Sequence, residues 1–105
     1  MLDRGGARLV EVNYHPLVKR DVVEALKYYS EISSRLAGEF DDEVRELIAK
    51  AADNPLRSHP VGRGFRRANL RRFPYHVLYE IREESIRVMH VRHNKRHPDY
   101  GMERA

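Results

Sequence analysis

Apolar and polar positions along the chain predict a short strand followed by two helices. Apolar residues alternate with polar ones in the segment 8–14, which is typical of a strand. From about residue 16 to about residue 53, apolar residues recur mostly at three- and four-residue steps, which predicts a helical hairpin. The cap-type residues Ser33 and Ser34 divide the two helices, and Asn54-Pro55 ends the second. These stripes place the following residues in the core: Val22, Leu26, Tyr29, Val44 and Leu47.

The second half of the chain has the alternation of a sheet. A loop rich in proline and glycine is predicted over 56–64, and strands are predicted over 65–73, 75–81 and 85–91. Glu83-Glu84 lies where a hairpin turn is needed.

Together these elements predict an α+β fold. The N-terminal strand and the two-helix hairpin precede a three-stranded antiparallel sheet, and the hairpin packs on one face of that sheet. The other face should be left uncovered by this chain. We expect a single domain over 1–105, in which 1–7 and 101–105 are flexible.

Composition restricts the compartment and the class of partner. The absence of cysteine excludes disulfides and thiolate metal sites. No window holds the roughly 18 apolar residues that a membrane helix needs, so we expect a cytoplasmic protein without membrane contact. The formal net charge of +4 favours polyanionic partners such as nucleic acid or an acidic protein.

Positive charge is concentrated in two runs that contain no acids. Six arginines fall between Arg57 and Arg72, and all formal charges from Arg87 to Pro98 are positive. Arginine can hold a phosphate or a carboxylate through two hydrogen bonds, whereas a charge run can also simply solvate a surface. Both interpretations are open. The candidates for nucleic-acid or partner binding are Arg66, Arg67, Arg71, Arg72, Arg92 and Lys95.

The segment VRHNKRHPDY, residues 91–100, holds the candidate catalytic chemistry. His93 can titrate near neutral pH, and Arg96 cannot lose its charge. Tyr100 follows closely and is not an obvious core residue, while His76 is a second candidate proton carrier. Such groups suit metal-independent RNA cleavage, in which a base takes a 2′-hydroxyl proton and cations stabilise the phosphate. The alternative is a solvated C-terminal tail.

No metal ion or cofactor is expected. His90, His93 and His97 have a spacing that suggests a metal site, but residues three apart on a strand point to opposite faces. The sequence also lacks a nucleotide-binding loop and a hydrolase motif.

Several segments, taken in order, resemble the RelE/ParE toxin superfamily, once called plasmid stabilisation proteins. The resemblance covers about residues 8–100. The most specific signal is FPYHVLYEI, which is followed by a turn, an apolar strand and a His-x-x-Arg ending. The other segments are VEVNYHPLVKRDVVEALKYY, FDDEVRELIAKAADNP and IRVMHVRHNKR.

The resemblance implies the RelE/ParE-like fold and the toxin of a type II toxin–antitoxin system. Its partner would be a cognate antitoxin, whose C-terminal segment is often acidic and wraps the toxin. Without the antitoxin, the toxin would form a homodimer through the same surface.

The superfamily also implies two kinds of target. RelE-like members cut mRNA in the ribosome with a basic cluster, whereas ParE-like members inhibit DNA gyrase and lack that cluster. The first expectation is a ribosome-dependent endoribonuclease, in which Arg71 or Arg72 and Arg96 hold phosphate. His93 or His76 would then move the proton, and Tyr100 would stack or donate. However, His76 stands where the ribonucleases often carry arginine. The alternatives are a non-enzymatic gyrase inhibitor and a degenerate member that only binds.

Overall fold

The computed structural model describes residues 10–95, which form two helices and one five-stranded sheet. Arg96 and Tyr100 therefore lie outside the described residues. In chain order the elements are β1 (Glu11–Tyr14), α1 (Val18–Ser30), α2 (Ser34–Asp53), β2 (His59–Gly62), β3 (Phe65–Asn69), β4 (Tyr75–Arg82) and β5 (Ser85–His93). The α+β class is confirmed.

The helical hairpin follows the local signals of the sequence. Ser33 is extended (φ −168°) and its Oγ accepts a hydrogen bond of 3.1 Å from the Leu36 N–H, which caps the start of α2. Asn54 caps its C-terminus, as the Asn-Pro signal predicts. Neither helix combines the length and the apolar character needed to cross a bilayer.

The sheet is larger than predicted, and it is mixed. Its order is β1-β5-β4-β3-β2, and β1 pairs with β5 in parallel while the other neighbours are antiparallel. The antiparallel sheet predicted over 65–91 is present as β3, β4 and β5, and it is extended by β2 and by the parallel strand β1. The predicted loop 56–64 contains the strand β2. At its end, Gly62, Arg63 and Gly64 have φ values of 101°, 57° and 81° and form a left-handed turn. That left-handed turn returns the chain onto β3.

The main core lies between the helices and one sheet face. Phe40 and Tyr79 are both 0% exposed, and the Tyr79 hydroxyl donates to the Pro55 carbonyl at 2.7 Å. Tyr29 and Val44 are buried, while Val22, Leu26 and Leu47 are half-buried against the core. The predicted core is thus confirmed.

The second sheet face is not bare, contrary to the sequence-based expectation. Phe65, Leu78 and Met89 form a separate apolar cluster on it, and their exposed fractions are 7%, 3% and 2%. The β4–β5 register shifts here, because Leu78 pairs with His90 whereas Tyr79 pairs with Val88. Met89 is the extra residue of this bulge. As a result, Val88 and Val91 both reach the main core.

Candidate functional site

The end of β5 carries the residues that the sequence singled out, but Arg92 is not an exposed cation there. Its Nη1 donates to Asp21 Oδ1 at 3.1 Å, and the two side chains are only 10% and 2% exposed. The other carboxylate oxygen of Asp21 accepts from the Val91 N–H at 3.1 Å. The pairing of β1 with β5 ends at Tyr14 and Val88, so β1 offers no acceptor to the Val91 N–H. Helix α1 supplies that acceptor through Asp21. The structure therefore corrects the expectation that strand 85–91 ends before Arg92.

His93 and His76, the two candidate proton carriers, lie on opposite faces of the sheet. His93 pairs across the strands with Tyr75, and His76 pairs with Arg92. The His93 ring stands edge-on to Tyr75 at 5.1 Å, and its Nδ1 accepts from the Lys95 N–H at 3.1 Å. The two histidines thus cannot act together on one substrate atom.

His76 is held in a chain of polar side chains. Its Nδ1 lies 2.9 Å from Asn94 Oδ1, which also accepts from Arg67 Nη2 at 3.3 Å. Since an amide oxygen only accepts, His76 Nδ1 carries the proton. In the neutral ring, Nε2 then accepts from His90 Nε2 at 3.4 Å. Burial lowers the pKa of His76 below its usual value, so the ring is neutral at pH 7. A buried, neutral histidine is poorly placed to reach a ribose hydroxyl.

Three of the predicted contact arginines support the fold. Arg66 Nη1 donates to the Ser58 carbonyl at 2.6 Å and thereby ties β3 to the loop after α2. Arg72 Nη2 donates to Glu39 at 2.8 Å, which lowers the pKa of that carboxyl. The backbone N–H groups of Arg71 and Arg72 donate to the Glu43 carboxylate. The arginines of the first run therefore take part in several separate contacts within the fold and do not form one continuous exposed patch.

A groove between the C-terminal half of α2 and strands β2 and β3 does collect positively charged residues. Its volume is about 390 Å³, and we call it the basic groove after its cationic residues Lys50, Arg57, Arg67 and Arg71. Sequence reasoning found Arg67 and Arg71, placed Arg57 in the first basic run without naming it as a contact residue, and missed Lys50 and the neighbouring His59. Lys50 lies on a helix outside both arginine runs, so its position in the groove depends on tertiary packing.

Residues 10–95 contain no cluster of three histidine, aspartate or glutamate side chains that could hold a metal ion. Lys95 is exposed at the end of β5. Within the described range the predicted catalytic set is therefore reduced to His76 and His93, which are separated by the sheet.

Comparison with known proteins gives concordant matches. The family model described as "ParE toxin of type II toxin-antitoxin system, parDE" matches residues 12–98. Two proteins named Toxin ParE2, from the Mycobacterium tuberculosis strains CDC 1551 / Oshkosh and ATCC 25618 / H37Rv, are each 33% identical over 89 residues. Each match covers 81% of this chain and 82% of the relative.

A solved structure described as "Chromosomal ParDE TA system from P. aeruginosa" superposes with a TM-score of 0.71. That match covers 85% of this chain and 98% of the other, at 11% identity. At this identity the superposition supports the fold alone.

Proposed function

The chain belongs to the ParE toxin family of type II toxin–antitoxin systems, and we propose that it arrests growth by binding DNA gyrase rather than by cleaving mRNA. The observation that carries this proposal is that candidate ribonuclease groups are committed within the fold: His76 is buried, and Arg72 is bound to Glu39. A ribonuclease needs its proton carrier and its phosphate-holding cations around one scissile bond.

Within residues 10–95, the state of three predicted site residues agrees with a binding mode of action. His76 is 8% exposed and neutral, and Arg92 is committed to Asp21. Arg72 is bound to Glu39, and the negative charge of that carboxylate offsets the positive charge that would hold a phosphate. ParE-like members of the superfamily lack the basic cluster of the ribonucleases, and the distribution of these groups fits that description.

An antitoxin is the partner that membership of this family implies. We propose that its segment is acidic, because the toxin carries a formal net charge of +4. The toxin would act in the cytoplasm, where gyrase and the chromosome are found.

One observation favours the second candidate, ribosome-dependent mRNA cleavage. His93 is half-buried rather than fully buried, and it lies next to the exposed Lys95 at the end of β5. A single accessible histidine beside a cation could move a proton on RNA.

Two assays separate the candidates. Purified toxin should inhibit gyrase supercoiling of a relaxed plasmid, and toxin mixed beforehand with its antitoxin should not. In cells that express the toxin, primer extension should show intact mRNA, and His93→Ala should arrest growth as strongly as the parent. Normal supercoiling together with mRNA cleavage that is lost in His93→Ala would reject gyrase binding in favour of the ribonuclease.

A further inference from the structure

The basic groove brings several cations together in one concave site. On the outer surface of the helices, by contrast, arginines form ion pairs with acids one helical turn away, as in Arg20–Glu24, Arg35–Glu39 and Arg45–Asp41. Among residues 10–95, no carboxylate lies within ion-pairing distance of Lys50, Arg57 or Arg71. Their side chains therefore present uncompensated charge to whatever occupies the groove.

Arg67 also lines the groove, but its guanidinium is directed along the second sheet face. Its Nε donates to Asn69 Oδ1 at 2.9 Å, and its Nη2 donates to Asn94 Oδ1 at 3.3 Å. Both acceptors are uncharged amides. Asn94 also binds His76, so these bonds direct the Arg67 charge away from the groove.

The two acids of the groove do not cancel this charge. The Glu43 carboxylate accepts from the backbone N–H groups of Arg71 and Arg72 and is thereby held on the loop. Glu46 is the remaining acid among the lining residues. Lys50, Arg57 and Arg71 carry three positive charges against these two carboxylates. The excess of one positive charge lies in a concave site, where field lines are focused.

The neutral lining of the groove indicates which anion fits. Asn54, Ser58 and Asn69 supply amide and hydroxyl groups, which are common partners of phosphate and sugar oxygens. Leu47, Ala51 and Ala68 add a small apolar surface that can pack against a sugar ring. An alternation of cations, neutral donors and small apolar side chains matches a sugar-phosphate backbone.

We propose that the basic groove binds the phosphate backbone of duplex DNA. The choice of duplex DNA rests on the proposed function, because gyrase holds a DNA duplex. The toxin then contacts enzyme and DNA together, with the groove supplying affinity that does not depend on base sequence.

The test is fluorescence anisotropy with the purified full chain and a labelled DNA duplex of about 20 base pairs, at salt concentrations from about 50 to about 200 mM. Arg57→Ala and Arg71→Ala should each reduce the slope of log affinity against log salt by about 1. The ratio of the parent's DNA affinity to that of each variant should therefore shrink about three- to fourfold across this salt range. Arg20→Ala and Arg45→Ala are the matched controls, because they remove the same charge outside the groove and should leave the slope unchanged.

Three outcomes would overturn the proposal. The first is that the duplex does not bind, and the second is that the groove variants behave like the controls. The third is that an acidic peptide binds through Arg57 and Arg71 while DNA does not. The last outcome would assign the groove to an acidic protein segment. A labelled RNA hairpin in parallel distinguishes duplex DNA from nucleic acid in general, and stronger binding of the hairpin would reject the choice of DNA.

Supercoiling assays on the same preparations keep the two proposals apart. Gyrase inhibition without DNA binding would reject only the groove assignment. DNA binding that depends on the groove, without gyrase inhibition, would reject only the proposed target.

Discussion

Replacing Asp21 should destabilise the fold strongly, because one carboxylate serves both Arg92 and the Val91 N–H. Removing one member of a buried ion pair typically costs about 3–5 kcal/mol, since the remaining charge stays in a site of low polarity. Domains of this size have a free energy of unfolding of about 5–15 kcal/mol. Asp21→Ala should therefore remove a large share of it. At roughly 4 °C per kcal/mol, a loss of about 3 kcal/mol lowers the melting temperature by at least about 12 °C.

Thermal unfolding followed by circular dichroism tests this reasoning. Asp21→Asn separates the two contacts, because its amide oxygen can still accept from Val91 while the negative charge is gone. We expect it to fall between the parent and Asp21→Ala. Arg20→Ala is the matched control, because its pair with Glu24 is exposed, with side-chain exposures of 71% and 60%. Such pairs contribute at most about 1 kcal/mol.

A double replacement tests whether the buried charge is the cause. Combining Asp21→Asn with Arg92→Met removes both charges and keeps an acceptor for Val91, so the double variant should be more stable than Asp21→Ala. A loss of about 1 kcal/mol corresponds to about 4 °C or more in the melting temperature. If Asp21→Ala melts within about 3 °C of the parent, the ion pair therefore does not stabilise the end of β5.

Two further predictions concern pH and helix capping. Because the pKa of His76 is lowered in the fold, the unfolded chain takes up the proton first. Stability should fall as pH drops below about 6.5, by at most about 1.4 kcal/mol per pH unit from this group. Urea unfolding at several pH values should show a flatter profile for His76→Gln; an unchanged profile would contradict the assignment. Ser33→Ala should cost about 0.5–2 kcal/mol in the same assay, because the Leu36 N–H loses its acceptor. The exposed neighbour Ser34→Ala should cost less, and equal losses would argue against the cap.

The helical hairpin was predictable because its determinants are local. The apolar stripes, the Ser33 cap and the Asn54 end act within a few residues along the chain. The direction of β1 was not predictable in this way, because Glu11 meets Ser85 only after the rest of the fold has formed. Strand β2 was missed since glycine signals a turn without showing which segment returns to pair with β3.

The candidate site was harder to predict than the fold. Alternation along β4 already places Tyr75 and His76 on opposite faces, but the face of His93 depends on the bulge at Met89. An unbulged strand would have reversed it. The burial of Arg92 depends on Asp21, which lies far away in sequence, so the second basic run appeared uniformly exposed. The sequence did predict Arg67 and Arg71 as candidate contact residues, and only tertiary packing adds Lys50.

The parallel pairing of β1 with β5 sets the order in which the fold can be completed during synthesis. Strand β1 and helix α1 leave the ribosome early, yet β1 pairs with β5 and α1 packs on β5, the last strand described. The core cannot close until β5 has emerged, because contacts between distant segments must wait for the later one. A partly synthesised toxin therefore lacks its main core, and we expect toxicity to begin only once β5 has been made.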